Sequence, residues 1–202
     1  MWAIVKSGSI TQLINNPKSL VIDNVRHSRK IFELWSKSEL EAKGIYEVEF
    51  DNTNKKDEQW YINTNQSFAF AGGKITASYG SATAKPHADT LFTAQDESDG
   101  LGTEGDVKQE GLKTKLIRTV KQQAAGILQD TDWYIVRKAD AGTAVPSAIT
   151  THRAAVRTKA AEQETAITNA ADTPALETLY TYTEQEDGSV TRPLGELPRL
   201  ED

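Results

Sequence analysis

The residue types that usually perform chemistry are scattered along this 202-residue sequence. The three histidines, His27, His87 and His152, lie far apart, and none falls in the HExxH spacing that binds zinc from one face of a helix. The sequence contains no cysteine, which excludes disulfides, thiolate metal ligands and thiol nucleophiles. We therefore predict that the chain has no metal site and binds no cofactor.

Carboxylates are abundant, but they occur in segments that are too polar to form a catalytic cleft. Glycoside hydrolysis and other acid–base reactions need two carboxyl groups that face each other across a cleft. The groups here are Asp96 with Glu97, and Glu184 with Glu186 and Asp187, which we interpret as solvated acidic loops. Weak Ca²⁺ binding by the loop that starts at Asp96 stays open, although the spacing of an EF-hand is absent. We expect no catalytic residues and no enzymatic activity.

Two glycine-containing turns share some features with nucleophile or phosphate sites. Ser7-Gly8-Ser9 lacks the GxSxG pattern of a nucleophile elbow, and Gly72-Gly73-Lys74 lacks the GxxxxGK[ST] spacing that wraps phosphates with backbone amides. Both lie between short β-type runs, so we predict that they are hairpin turns.

The composition is that of a polar globular protein with small cores. Hydrophobic residues make up 38% and charged residues 26% of the chain, and the formal net charge is -6 at pH 7. Because nucleic-acid binding needs concentrated lysine and arginine to neutralise phosphates, we expect no nucleic-acid partner. The N-terminus lacks the features of a signal peptide, and no apolar run approaches the roughly 18 residues of a membrane span. We therefore expect synthesis in the cytoplasm and no membrane partner.

The first part of the chain has β character. The runs between Trp2 and Ile14 predict an opening hairpin. Ser36 and Glu39 have the spacing of a capping box at the start of a helix of about two turns, and Gly44 suits the positive φ that follows its end. A strand with alternating apolar and acidic residues comes next, and further short runs predict an antiparallel meander at 60–62, 67–71 and 74–79.

An acidic segment separates this part from a helical one. Residues 96–110 include six acidic residues, three glycines and only one lysine, a composition that predicts an exposed linker. We expect an α+β protein with a small β-rich N-terminal domain, an acidic linker, a helical-hairpin domain and an extended tail, at 1–95, 96–110, 111–182 and 183–202.

The helical part reads as an antiparallel hairpin with a short third helix. Apolar residues recur at helical spacing from Leu112 to near Gln129. In the segment 130–138, the side chains of Asp130, Thr131 and Asp132 can form local hydrogen bonds that compete with a helix. We therefore predict that this segment is the bend and that Trp133 to Val136 pack over its corner. The second helix should begin with Ser147 as N-cap, and the third at Thr173-Pro174 with proline at its first position.

The aromatic and basic residues at and beside this bend form the candidate protein-contact site. Its members are Trp133, Tyr134, Arg137, Arg153, Val156 and Arg157. Pairing of these arginines with nearby aspartates, or stacking on Trp133, is the more ordinary use of such residues and is kept as the structural alternative.

Two stretches resemble proteins that tailed bacteriophages encode in their tail regions. The first is Arg29–Val48, with Trp35-Ser36 and Gly44-Ile45-Tyr46 as its most recognisable residues. The second is Leu128–Lys138, followed by Val145-Pro146 and Arg153–Arg157, which resembles the helical hairpin of tail-fibre and tail-fibre-assembly proteins. The chain departs from that pattern at His152, where tyrosine is frequent, and in its long acidic insert.

This resemblance implies a non-enzymatic structural protein of the virion tail. Its partners would be fibre, tail-tip or adaptor proteins, and it would form a homo-oligomer such as a ring or trimer. A tail-fibre assembly chaperone that acts transiently in the host cytoplasm is the second alternative. A host-glycan-binding adhesin is the third: Trp60, Tyr61 and Tyr79 could stack on sugars, although the sheet core is their more ordinary place.

Overall fold

The structure, a computed structural model, describes residues 1–64 and 66–200. The chain divides into two compact units, Met1–Thr83 and Ala84–Asp202. Both helices and sheets are present, so the predicted α+β class is confirmed.

The elements of the first unit are, in chain order, β1 (Trp2–Lys6), β2 (Ser9–Ile14), β3 (Leu20–Ile22), β4 (Val25–His27), α1 (Ile31–Leu34), α2 (Lys37–Ala42), β5 (Ile45–Asp51), β6 (Tyr61–Ile62), β7 (Gln66–Ala71) and β8 (Lys74–Tyr79). The short strand β9 (Thr83–Ala84) spans the division. Those of the second unit are β10 (Thr90–Leu91), α3 (Ala94–Ser98), β11 (Val107–Gln109), α4 (Leu112–Gln129), α5 (Asp132–Ala141), α6 (Ser147–Asn169), α7 (Thr173–Tyr180), β12 (Thr183–Glu184) and β13 (Val190–Thr191).

The main sheet of the first unit has five strands in the order β2-β1-β5-β8-β7. The predicted opening hairpin of β1 and β2 and the hairpin of β7 and β8 are both confirmed. The three-stranded meander is wrong, because β6 pairs with β9 outside this sheet and β8 pairs in parallel with β5. The inner position of β8 buries Ile75 and Ala77 completely, whereas every second residue of β7, at the end of the strand order, is exposed.

Two apolar clusters support this sheet. One contains Ile14, Leu20, Ile31, Leu40 and Ile45, so it joins the sheet to α1 and α2. The other is formed by Ala3, Val48, Ile75 and Ala77, with Phe68 and Phe70 packed against it. Because neighbouring residues of a strand point to opposite faces, Ile45 and Val48 reach different clusters from the same strand.

The link from α2 to β5 follows the predicted local chemistry. The capping box is present: the Ser36 hydroxyl accepts a hydrogen bond from the Glu39 amide, and the Glu39 carboxylate accepts one from the Ser36 amide. Gly44 has a φ of +74°, and its carbonyl accepts a 2.8 Å hydrogen bond from the Val5 amide. The turn therefore fixes β5 beside β1.

The acidic segment at 96–110 is not the predicted linker. It contains the end of α3 and the strand β11, and the division of the chain lies earlier, between Thr83 and Ala84. Asp96 closes a capping box with Thr93 and forms a 2.6 Å ion pair with Lys108. These acids are therefore used as helix caps and ion-pair partners, which composition alone does not distinguish from a solvated loop.

The second unit is built on α4 and α6, which pack antiparallel as predicted. The Lys113 ammonium near the start of α4 donates to the Thr168 carbonyl near the end of α6, and Arg153 in α6 donates to Leu128 in the last turn of α4. The N-cap of α6 is Pro146 and not the predicted Ser147, since no side chain caps that end. The predicted start of α7 is confirmed, with Asp172 as its cap.

Two further predictions in this unit are wrong. The bend at 130–138 is largely helical, since α5 covers Asp132–Ala141 and is followed by Gly142, which has a φ of +70°. Trp133 to Val136 therefore do not pack over a corner. The tail at 183–202 is not simply extended either, because β12 and β13 form a hairpin and Leu194 beyond it is only 3% exposed.

Replacing Gly44 with alanine should destabilise the first unit by more than about 2 kcal/mol. An alanine there combines an unfavourable positive φ, which costs about 1 kcal/mol or more, with a Cβ only 2.6 Å from the Val5 carbonyl oxygen. Gly73→Ala is the matched control, because its φ is +75° and a Cβ there meets no atom within 4 Å. Urea unfolding followed by tryptophan fluorescence measures both; equal losses would contradict the steric explanation.

Asp96 should titrate well below an ordinary aspartate. The hydrogen bond from Lys108, followed by those from the amide and hydroxyl of Thr93, lowers the pKa of Asp96 from 3.8 to about 2. Because this folded-state pKa is depressed, the contribution of the carboxylate to stability is present above pH 3.8 and is lost as the pH falls toward 2. NMR titration of the Asp96 carboxyl carbon tests this. Lys108→Met should raise the midpoint toward 3.8, while Lys115→Met should leave it unchanged.

Candidate protein-contact site on helix α5

Helix α5 contributes little to the interior of the second unit. None of its ten residues is buried, whereas α6 buries a residue every three or four positions from Ile149 to Ile167. The exposed fractions are 51% for Trp133, 43% for Ile135 and 65% for Val136. Trp133 and Val136 are three residues apart and share a side of the helix, whereas Ile135 projects from another side. A helix with apolar residues on several sides is typical of one that is buried in a larger assembly.

An aromatic and guanidinium stack gives this helix a fixed surface shape. The ring centroids of Trp133 and Tyr134 are 4.0 Å apart, and the Arg137 guanidinium carbon lies 4.6 Å from the Trp133 centroid and 5.6 Å from that of Tyr134. The Nε atom of Arg137 is buried and has no hydrogen-bond partner in the described part of the chain. The three side chains are therefore already ordered, which lowers the entropy cost of binding a partner.

Arg153 in α6 holds the start of α5 in place. Its guanidinium donates hydrogen bonds of 2.7 Å to the Leu128 carbonyl and to the Thr131 hydroxyl oxygen, and forms a 2.8 Å ion pair with Asp132. The Thr131 hydroxyl in turn donates to the Leu128 carbonyl. Leu128 is in the last turn of α4 and Asp132 is in the first turn of α5, so one side chain joins three helices.

The predicted contact residues separate into three groups. Trp133, Tyr134 and Arg137 come together in the stack on α5. Arg153 and Val156 lie in the interior, at 7% and 0% exposure, and are not accessible to a partner. Arg157 is exposed on α6. The ordinary uses of arginine considered above, pairing with an aspartate and stacking on Trp133, are both present.

The exposed aliphatic residues of α5 were missed at the sequence level. Ile135 and Val136 follow the two aromatic residues directly, so the apolar run occupies four consecutive positions. On a helix, four consecutive positions cover the whole circumference, and no single neighbouring element can bury all of them. That pattern is the signal that could have identified an exposed apolar helix.

A second polar cluster closes the C-terminal part of this unit. The Arg192 guanidinium makes two bonds to the Glu196 carboxylate, of 2.8 and 3.0 Å, and lies 5.2 Å from the ring centroids of Tyr180 and Tyr182. The Tyr182 hydroxyl donates to Glu196 at 2.7 Å, and this hydrogen bond raises the pKa of Tyr182. These groups satisfy one another, so we interpret the cluster as a clasp that holds the C-terminal segment.

The aromatic residues considered for sugar stacking are differently placed. Trp60 and Tyr61 are 3% and 4% exposed, so their rings have no free face for a sugar. The predicted alternative is the sheet core; both residues are buried, but Tyr61 lies in β6, outside the main sheet. Two of the three aromatic residues proposed to bind a glycan are therefore not accessible to one.

Replacing Arg153 with methionine should destabilise the second unit by about 1–3 kcal/mol. The change leaves the Thr131 hydroxyl oxygen without its donor, and a lost buried partner costs about 1–3 kcal/mol, whereas the Leu128 carbonyl keeps the amide and the hydroxyl of Thr131 as donors. Asp132→Asn should cost less than about 1 kcal/mol, because that carboxylate is more than half exposed. Arg157→Met on the same helix is the control, with almost no effect. Urea unfolding followed by helical circular dichroism distinguishes these cases; equal effects of the two arginine variants would contradict the role of Arg153.

Within residues 1–64 and 66–200, no group of three or more histidine, aspartate or glutamate side chains is placed to hold a metal ion. No helix in that same part of the chain combines the length and the apolarity needed to cross a membrane. Comparison of the chain with protein-family models, with curated proteins and with solved structures found no match.

Proposed function

We propose that this protein is a non-enzymatic structural component of a bacteriophage tail, where it makes protein–protein contacts at the tail fibre or tail tip. The observation that carries the contact role is the stack of an exposed Trp133 with the half-buried Tyr134 and Arg137, on a helix with no buried residue. The tail location rests on the resemblance of Arg29–Val48 and Leu128–Lys138 to tail-region proteins.

The chemistry of α5 is that of a binding hot spot. Tryptophan, tyrosine and arginine are the residue types whose truncation most often costs a protein interface its affinity. Complete burial of a large apolar side chain stabilises a complex by about 1.5–3 kcal/mol, and Trp133 and Val136 are both more than half exposed. Covering this side of α5 therefore offers a partner several kcal/mol before the costs of association are subtracted.

The size of α5 limits what a single contact can do. Ten helical residues extend for about 15 Å. One side of a helix of this length offers much less area than the roughly 800 Å² that each partner contributes to a standard interface. One such contact would be weak, whereas the same contact repeated in a ring or trimer would be strong through multivalency. This favours a partner that presents several equivalent sites, as an oligomeric tail protein does.

The expected partner surface is an apolar groove with a carboxylate at one edge. The groove would take Trp133 and Val136, in the way that amphipathic helices dock in grooves. The carboxylate would meet the Arg137 guanidinium, which is held against Trp133.

A transient tail-fibre assembly chaperone is the second candidate. The small size of the α5 surface suits a contact that is made and then released, and this observation favours it. Quantitative mass spectrometry of purified particles separates the two functions. A fixed number of copies per particle supports the structural role, whereas absence from particles, together with loss of fibre trimerisation when the protein is omitted, supports the chaperone.

Trp133→Ala should reduce incorporation into particles at least tenfold while lowering the free energy of unfolding by no more than about 1.5 kcal/mol. The fold loses only the ring stack and the cation–π contact, whereas the interface loses its largest anchor. Val190→Ala is the matched control, because Val190 is 59% exposed in the same unit and lies on a different element. Incorporation that is unchanged in Trp133→Ala, or equally reduced in Val190→Ala, would contradict the proposed contact.

A further inference from the structure

The first unit contains a small pocket with aromatic walls. It lies where β1 and β5 meet the segment of α1 and α2, and it has a volume of about 200 Å³. Trp2, Phe32 and Trp35 form its aromatic lining, and Lys37 and Glu47 its polar lining. Pockets for complete small molecules usually measure about 300–1,000 Å³, so this one is of a size for a single side chain.

Strand register and helix packing hold the walls in place. Trp2 and Glu47 are direct partners across the antiparallel pair of β1 and β5, so the indole and the carboxylate stand side by side. The Trp2 and Phe32 centroids are 4.7 Å apart with an interplanar angle of 50°. Trp35 packs against His27, with the two ring centroids 5.0 Å apart and an interplanar angle of 71°. The three walls remain partly exposed, which leaves their surfaces accessible from the solvent.

Glu47 supplies an uncompensated negative charge at this pocket. It is exposed and has neither an ion pair nor a side-chain hydrogen bond among the described residues. Two residues further along the same strand, Glu49 does have a partner, since Lys74 lies 3.5 Å away. Lys37, the cation on the pocket wall, lies 3.9 Å from Glu41. The pocket therefore combines π faces with one carboxylate that forms no ion pair within residues 1–64 and 66–200.

We propose that this pocket binds a basic side chain, preferably arginine, presented by a partner protein. The faces of aromatic rings attract cations, and tryptophan does so most strongly. A planar guanidinium is suited to this site because it can stack on an indole while donating two hydrogen bonds to a carboxylate. The site belongs to the first unit and depends neither on α5 nor on the tail location.

A peptide titration tests the proposal directly. The probe is the blocked tripeptide acetyl-Gly-Arg-Gly-amide, and the signals are the indole N–H resonances of Trp2 and Trp35 in ¹H–¹⁵N NMR spectra. One side chain should bind with a Kd on the order of 1 mM. The same peptide with citrulline, which is neutral and nearly equal in shape, should bind at least fivefold more weakly. Equal binding of the two peptides would overturn the proposal.

Two matched variants locate the charge. Glu47→Gln keeps the side-chain shape and should weaken binding of the arginine peptide at least fivefold. Glu49→Gln removes the same charge from the same strand and should leave the affinity unchanged. The proposal fails if Glu47→Gln binds like the unaltered protein, if both variants lose affinity equally, or if methyl glucoside shifts the two indole resonances and the arginine peptide does not. Particle incorporation is not part of this experiment, so its outcome is independent of the tail assignment.

Discussion

Arg153 is the residue on which the arrangement of the helical unit depends. Moving a guanidinium out of water is costly, and the cost is recovered only when its donors are satisfied in good geometry. Here α6 supplies the cation, and the end of α4 and the start of α5 supply a carbonyl, a hydroxyl and a carboxylate to its terminal nitrogens, while its buried Nε has no partner in the described part of the chain. The carbonyl of Leu128 belongs to the last turn of α4 and also accepts hydrogen bonds from the amide and the hydroxyl of Thr131, so the guanidinium adds a further donor at this helix end. The same contacts therefore complete α4 and set the direction in which α5 leaves it.

This division of roles explains why α5 remains at the surface. The apolar contacts that stabilise the unit come from α4, α6 and α7, with Val120, Val156, Ile167 and Leu176 among its most buried residues. Because α5 is anchored by a polar contact at its first turn, its apolar side chains are not needed for the core. Their exposure is costly in solution and becomes favourable when another surface covers them. A structural role for α5 within the unit and a contact role outside it are therefore compatible.

Local features were predictable from the sequence, whereas pairings distant in the chain were not. The bounds of α4, the capping box at Ser36 and the positive φ of Gly44 depend on side chains within a few residues of each other. The parallel pairing of β5 with β8 joins residues that are far apart in the chain, and neighbouring residues do not determine which strand takes that position. The helix α5 was missed for a related reason. Asp130 and Thr131 do interrupt the helix after α4. However, Arg153, which is 22 residues beyond Thr131, binds the Thr131 hydroxyl, and a new helix begins at Asp132. The pocket at Glu47 likewise needs the register of β1 with β5 to be known.

The α5 surface and the aromatic pocket require different partner groups, and this restricts how copies of the chain can use them. An arginine is the preferred occupant of the pocket, and Arg137 is an arginine on the α5 surface. However, Arg137 stacks on Trp133 and its Nε is buried, so entering the pocket of another copy would first break that stack. The exchange would replace one aromatic contact with a similar one and would also separate Trp133 from its ordered neighbour. The cation–π energies of the two sites would nearly cancel. An arginine side chain that is solvent-exposed on a partner protein has no such contact to lose. It therefore suits the pocket better than Arg137 does.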